Sequence, residues 1–144
     1  MRLSLHLAAT TVLLALGATP ALAADPVGTW LTQGGKSRIK IADCGGALCG
    51  TIAWLQEPND ENGKPKTDKN NPDAAKRSKP LIGVLIVLGM KPSGENKWAG
   101  QVYNAEDGKT YSGSLSMTGD NSLQLQGCAL GGLLCKSQTW TRAN

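Results

Sequence analysis

The sequence predicts an all-β fold, an eight-stranded antiparallel up-and-down β-barrel, on three observations. Eight short segments alternate in polarity or run apolar, and Gly, Asn, Asp and Pro punctuate the chain between them. Four connecting stretches, "CGGALC", "NAEDGK", "TGDN" and "CALGGLLC", read as hairpin turns. The chain is rich in glycine, with 18, and has no phenylalanine, which suits short strands and many turns. Consecutive hairpins make a meander, and closing it removes the exposed edges of an open sheet. A barrel is therefore preferred over a two-sheet sandwich.

Residues 1–23 stand outside that fold. Arg2, the apolar run "LSLHLAATTVLLALG" and the small-residue site Ala21-Leu22-Ala23 form a signal peptide, cleaved near Ala23. The run ends at Gly17 and Pro20 and is too short to span a bilayer. Residues 24–144 are then one domain, delivered to the periplasm or secreted.

The first segment, "VGTWLT", places Trp30 on the first strand. "KSRIKIAD" sets Ile39 and Ile41 on one face and Arg38 and Lys40 on the other. "GTIAWLQ" pairs Ile52 with Trp54 by period two. "LIGVLIVL", residues 81–88, is apolar on both faces, as if covered outside as well as inside. "KWAGQVY" groups Trp98, Gly100 and Val102. "TYSGSLSM" alternates most cleanly, with Tyr111, Gly113, Leu115 and Met117 against three serines. "SLQLQGC" contributes Leu123 and Leu125, and "CKSQTWTR" closes the chain. The named apolar and aromatic side chains of the second to seventh segments form the expected interior wall, with Gly100 and Gly113 leaving volume open or making room for indoles.

Residues 57–80 interrupt the meander with a long polar excursion between the third and fourth strands. Its second half predicts a short helix, with Asn71 as cap, Pro72 at the first position, and Lys76 and Arg77 in the last turn. Such excursions serve as lids, binding loops or interaction surfaces. The run Asp68, Asn70, Asn71, Asp73 lacks the glycine and distal bidentate glutamate of an EF-hand loop. "YNAEDGKTY" is read as a hairpin with an Asp107-Gly108 turn in preference to a ligand-contacting polar rim or a weak calcium site, so no metal is expected.

Cys44, Cys49, Cys128 and Cys135 are an even set in an exported chain, and three pairings are possible. Cys44 with Cys49 and Cys128 with Cys135 are preferred, because each pair flanks a hairpin loop. The two bridges are expected to fix two hairpin ends at one rim of the barrel.

Composition excludes several chemistries. The only histidine, His6, leaves with the signal peptide, which removes the Ser-His-Asp and Cys-His arrangements and most zinc sites. The net charge of +4 is mild, basic and acidic residues are interleaved, and no aromatic-laced basic stripe appears. Nucleic-acid binding is not expected. Carboxylates fall mainly in turns, so neither an enzyme nor a cofactor is expected.

Gly28-Thr29-Trp30 on the first strand, with Arg142 on the last, resembles the signature of lipocalin-like (calycin) barrels. Closure brings those strands together, so the Trp30 indole can plug one end while Arg142 stacks over it. Gly28 leaves room for a crossing segment. "DPVGTW", "NGKPKTDKNNPD", "RSKPLIG", "NKWAGQVYNAEDGKTYSG" and "LLCKSQTWTR" further resemble bacterial domain-of-unknown-function family 2147. That resemblance implies a small exported protein of lipocalin-like fold, and no catalytic residue comes with it.

Two functions are compatible with such a barrel. One is a carrier whose interior holds a small hydrophobic molecule in the bacterial envelope. The alternative is a solid-cored interaction module, an inhibitor or stress-related factor, that meets an envelope protein through residues 57–80.

Overall fold

The computed structural model describes residues 12–17 and 24–143, so most of the expected signal peptide lies outside the described residues. The strands are β1 (Gly28–Leu31), β2 (Ser37–Asp43), β3 (Leu48–Leu55), β4 (Leu85–Gly94), β5 (Lys97–Asn104), β6 (Lys109–Gly119), β7 (Ser122–Ala129) and β8 (Leu134–Arg142). Each pairs antiparallel with its sequence neighbour, and β1 also pairs with β8, so the sheet is a closed eight-stranded barrel. The closing seam is short, with Trp30 opposite Arg142 and Leu31 opposite Thr141. Just beyond it, the Thr139 amide donates to the Gln33 side chain at 3.0 Å, which extends the seam with a loop residue.

Up-and-down order sorts the connections between two ends. The β2–β3, β4–β5 and β6–β7 turns lie at one end, with Arg142 and the chain entering β1. That end is closed and apolar. Trp30, Ile39, Ile41, Leu115 and Leu123 are all but completely buried there, and Met117 packs with them. The Trp30 indole N–H donates to the Pro26 carbonyl at 2.8 Å, and the Arg142 guanidinium lies 4.3 Å from the ring centroid. Arg142 also donates to the carbonyls of Asp25, Val27 and Asp120, at 2.7, 3.1 and 2.9 Å. A cation with no carboxylate partner among the described residues is thus satisfied by three main-chain oxygens and an aromatic face.

Neither Gly100 nor Gly113 leaves a void. A Cβ on Gly113 would sit 2.4 Å from Val102 Cγ2, and one on Gly100 would sit 2.6 Å from the Leu88 carbonyl oxygen. Aliphatic side chains and a neighbouring backbone use that space, not indoles.

Several expectations need correction. The fourth strand does not occupy 81–88; residues 81–84 turn, and β4 runs from Leu85 to Gly94 with register shifts. The Gly83 amide bonds to the Ile52 carbonyl and the Val84 carbonyl to the Ile52 amide, so a turn consumes half of the apolar run. The helix in the excursion is one 3-10 turn, Ala74–Lys76, capped by Asp73 instead of Asn71. Asn71 is engaged elsewhere: its side chain accepts from the Asp73 amide and donates to Asp68. The disulfides join Cys44 to Cys49 and Cys128 to Cys135, but at opposite ends of the barrel. The first braces the closed-end β2–β3 turn and the second the β7–β8 turn at the other end.

Candidate functional site

The β1–β2, β3–β4, β5–β6 and β7–β8 connections gather at the end opposite Trp30, and a cavity of about 1060 Å³ opens between them. Ile52, Ile86, Val102, Leu125 and Trp140 supply its apolar wall. Toward the mouth the lining turns polar. Gln138 accepts from the Trp140 indole N–H at 3.0 Å, and Asn104, Tyr111, Lys36 and Lys136 stand above it.

Of the expected wall, Ile52, Val102, Tyr111 and Leu125 line this cavity. Ile39, Ile41, Leu115, Met117 and Leu123 lie in the packed closed-end core, and Trp98 is half-buried against it. Trp54 faces outward. The β2–β3 register shifts between Arg38 and Ile39, placing Ile39 opposite Ile52 but Arg38 opposite Trp54. The extra residue, Ala53, inverts the alternation, and a bulge of this kind sends every later side chain to the other face. The indole then stacks outside under Arg38, 4.8 Å from its ring centroid.

The inner face of β8 was not anticipated. Leu134, Lys136, Gln138 and Trp140 alternate inward, opposite Ala129, Gly127, Leu125 and Leu123 of β7. Directly opposed residues share a face, so the inward placement of Leu123 and Leu125 already implied Trp140 and Gln138. Gly127 contributes open space, since a Cβ there would meet only Tyr111 Cβ, at 3.8 Å.

The excursion is bound to the barrel by a buried polar contact. Asp68 is 2% exposed. Its carboxylate accepts from the Tyr103 hydroxyl at 2.7 Å and from the Asn71 amide at 2.8 Å. Tyr103 alternates with the inward Val102, so it leaves the opposite face of β5, where the excursion covers it. Burial, reinforced by the hydrogen bond and the negative charge of Asp68, pushes the Tyr103 hydroxyl up to about 12. Nearby, the Asn70 amide donates to the carbonyls of Ala105 and Glu106 at 3.1 and 2.9 Å. Gly108 is buried beneath the Asn70 carbonyl, at φ +71°. No side chain fits between them.

The β5–β6 turn is held by its own contacts. Asp107 accepts from the Tyr111 hydroxyl, which holds its carboxyl below the usual range and pushes the phenol up. Asp107 also accepts from the Lys109 amide at 2.9 Å. Among the described residues, no group of three or more His, Cys, Asp or Glu side chains could hold a metal ion. No helix of the described residues is long and apolar enough to cross a membrane.

Comparison with known proteins places the fold. Protein HP1028 of Helicobacter pylori, described as belonging to the lipocalin family, is similar to this chain with a TM-score of 0.72 and 23% identity. The similarity covers 83% of this chain and 84% of that one, and it shows a lipocalin-like barrel. The two disulfides suit an oxidising, extracytoplasmic compartment. No curated protein matches the chain. The family model described as an uncharacterized protein conserved in bacteria (DUF2147) matches residues 28–142, and the chain belongs to that family.

Proposed function

We propose that this chain is an exported carrier that holds one small hydrophobic molecule in the bacterial envelope. The observation that carries the reading is the cavity at the open end, apolar along Ile52, Ile86, Val102, Leu125 and Trp140 and polar above them. An eight-stranded barrel is just wide enough to hold one small ligand when its interior is not filled by side chains. Here only the closed half is filled. A solid-cored interaction module has no use for such a space, and this favours the carrier.

Removal of residues 1–23 as a signal peptide, and residence in the periplasm or outside the cell, accompany the proposal. Both disulfides fit that route. No catalytic role is proposed for any residue.

Native mass spectrometry of protein purified from its own host, disulfides intact, tests the reading. A population heavier than the polypeptide by the mass of one small molecule, lost on denaturation, is expected. A wholly empty barrel under conditions that retain lipids on other carriers would count against it.

A further inference from the structure

We infer that the β7–β8 hairpin tip docks the open end of the barrel onto an anionic lipid bilayer. The tip presents three leucines to solvent: Leu130, Leu133 and Leu134 are 70%, 85% and 62% exposed. Single exposed leucines are ordinary, but Leu130 and Leu133 on one four-residue turn, with Leu134 beside them at the start of β8, form an apolar point that none of the described residues covers.

The backbone argues that this presentation has a use. Leu130 has φ +54°, the left-handed region that glycine or asparagine occupies with less strain. Gly131 and Gly132 follow at +64° and +92°, so the turn needs left-handed residues, yet its first position holds a large aliphatic side chain. Leu130 adds nothing to the buried core. The Cys128–Cys135 disulfide closes the base of the turn, and β7 and β8 pair up to Ala129 and Leu134. A short, braced loop loses little conformational freedom when it is immersed.

Charge around the tip selects the partner. The mouth carries Lys36, Lys66, Lys69 and Lys136 against Glu57, Glu106 and Asp107. Lys66 lies 3.7 Å from Glu57, and Asp107 is engaged by Tyr111. Among the described residues, Lys36, Lys69 and Lys136 have no carboxylate within 4.0 Å; Glu106 and the still-charged Asp107 oppose them, and the mouth is left net positive by one charge. An apolar tip beside Lys136, on a mouth with more lysines than carboxylates, matches an anionic interface, where aliphatic groups enter the acyl boundary and ammonium groups stay among the phosphates. Leu134 and Cys135 also line the cavity. A docked tip therefore sets the cavity mouth against the bilayer, a dry path for an apolar molecule. That last consequence rests on the carrier reading; the docking itself does not.

Cosedimentation with vesicles tests the inference, using disulfide-intact chain and either pure phosphatidylcholine or a phosphatidylglycerol mixture. Binding to the anionic vesicles is expected, roughly tenfold weaker on the neutral ones. The variant Leu130→Asn/Leu133→Ser should lose roughly tenfold or more of that binding while its Tm stays level or rises, because asparagine tolerates the left-handed turn. No binding to anionic vesicles, or equal binding by the variant, would overturn the inference. So would sedimentation velocity showing a wild-type dimer that the variant abolishes, because a second copy would then be the occupant. An empty cavity with intact vesicle binding would remove the carrier reading alone.

Discussion

The Tyr103 hydroxyl donates a 2.7 Å hydrogen bond to the Asp68 carboxylate across 35 residues of sequence, joining the long excursion to the outside of β5. Asp68 is buried with no cation paired to it among the described residues, and two neutral donors, Tyr103 and Asn71, satisfy its oxygens. Removing it leaves the phenol unpartnered, which costs roughly 1–3 kcal/mol. Asp68→Ala should therefore lower Tm and expose Lys69, Lys76 and Arg77 to trypsin faster than in the parent chain. Unchanged cleavage would show that the excursion is held by its other contacts.

The same pair sets an alkaline limit on stability. The folded chain holds the Tyr103 proton up to about 12, whereas an unfolded tyrosine releases it near 10. The contribution is present in full below pH 10 and is lost as pH rises toward 12, because the unfolded state binds fewer protons there. Lysines titrate in that range too, so the difference between parent and Tyr103→Phe isolates the tyrosine. Denaturant titrations at pH 9 and 11.5 should show the stability gap narrowing at the higher pH. A constant gap contradicts the assignment.

At the closed end, Arg142 combines stacking on Trp30 with three main-chain carbonyls. Arg142→Ala should cost roughly 2–4 kcal/mol by urea denaturation, from lost charge-assisted hydrogen bonds and cation–π contact. Arg142→Lys should recover only part of this, since an ammonium cannot lie flat on the ring while reaching carbonyls on two sides. Equal stability of the lysine variant would mean that charge alone closes the barrel.

Much of this architecture was legible in the residues. Turn glycines and alternating serines marked the strands, and the Trp30–Arg142 pair marked the seam. Local rules failed where the backbone departs from strict pleating. One extra residue at Ala53 turned Trp54 from wall to exterior, and the register shifts of β4 displaced that strand toward Gly94. The ends joined by each disulfide follow from counting strands, because hairpins two apart share an end and the β2–β3 and β7–β8 hairpins do not. The inward polar residues of β8 were hidden by their polarity, though their register with Leu123 and Leu125 fixes their face. Burial of Asp68 was beyond local pattern, because the surface that covers it is made by a strand 35 residues away.

The central claim, an accessible apolar interior above a sealed floor, is tested most directly by titrating the neutral probe N-phenyl-1-naphthylamine into parent chain and Gly127→Phe. Position 127 faces the cavity with room for a side chain, so the phenyl ring should occupy the space a ligand would use while the barrel stays folded. Saturable 1:1 binding with quenching of tryptophan emission is expected for the parent, and a loss of roughly tenfold or more for the variant. Probe binding that Gly127→Phe leaves unchanged, in a chain with native circular dichroism, would contradict the account.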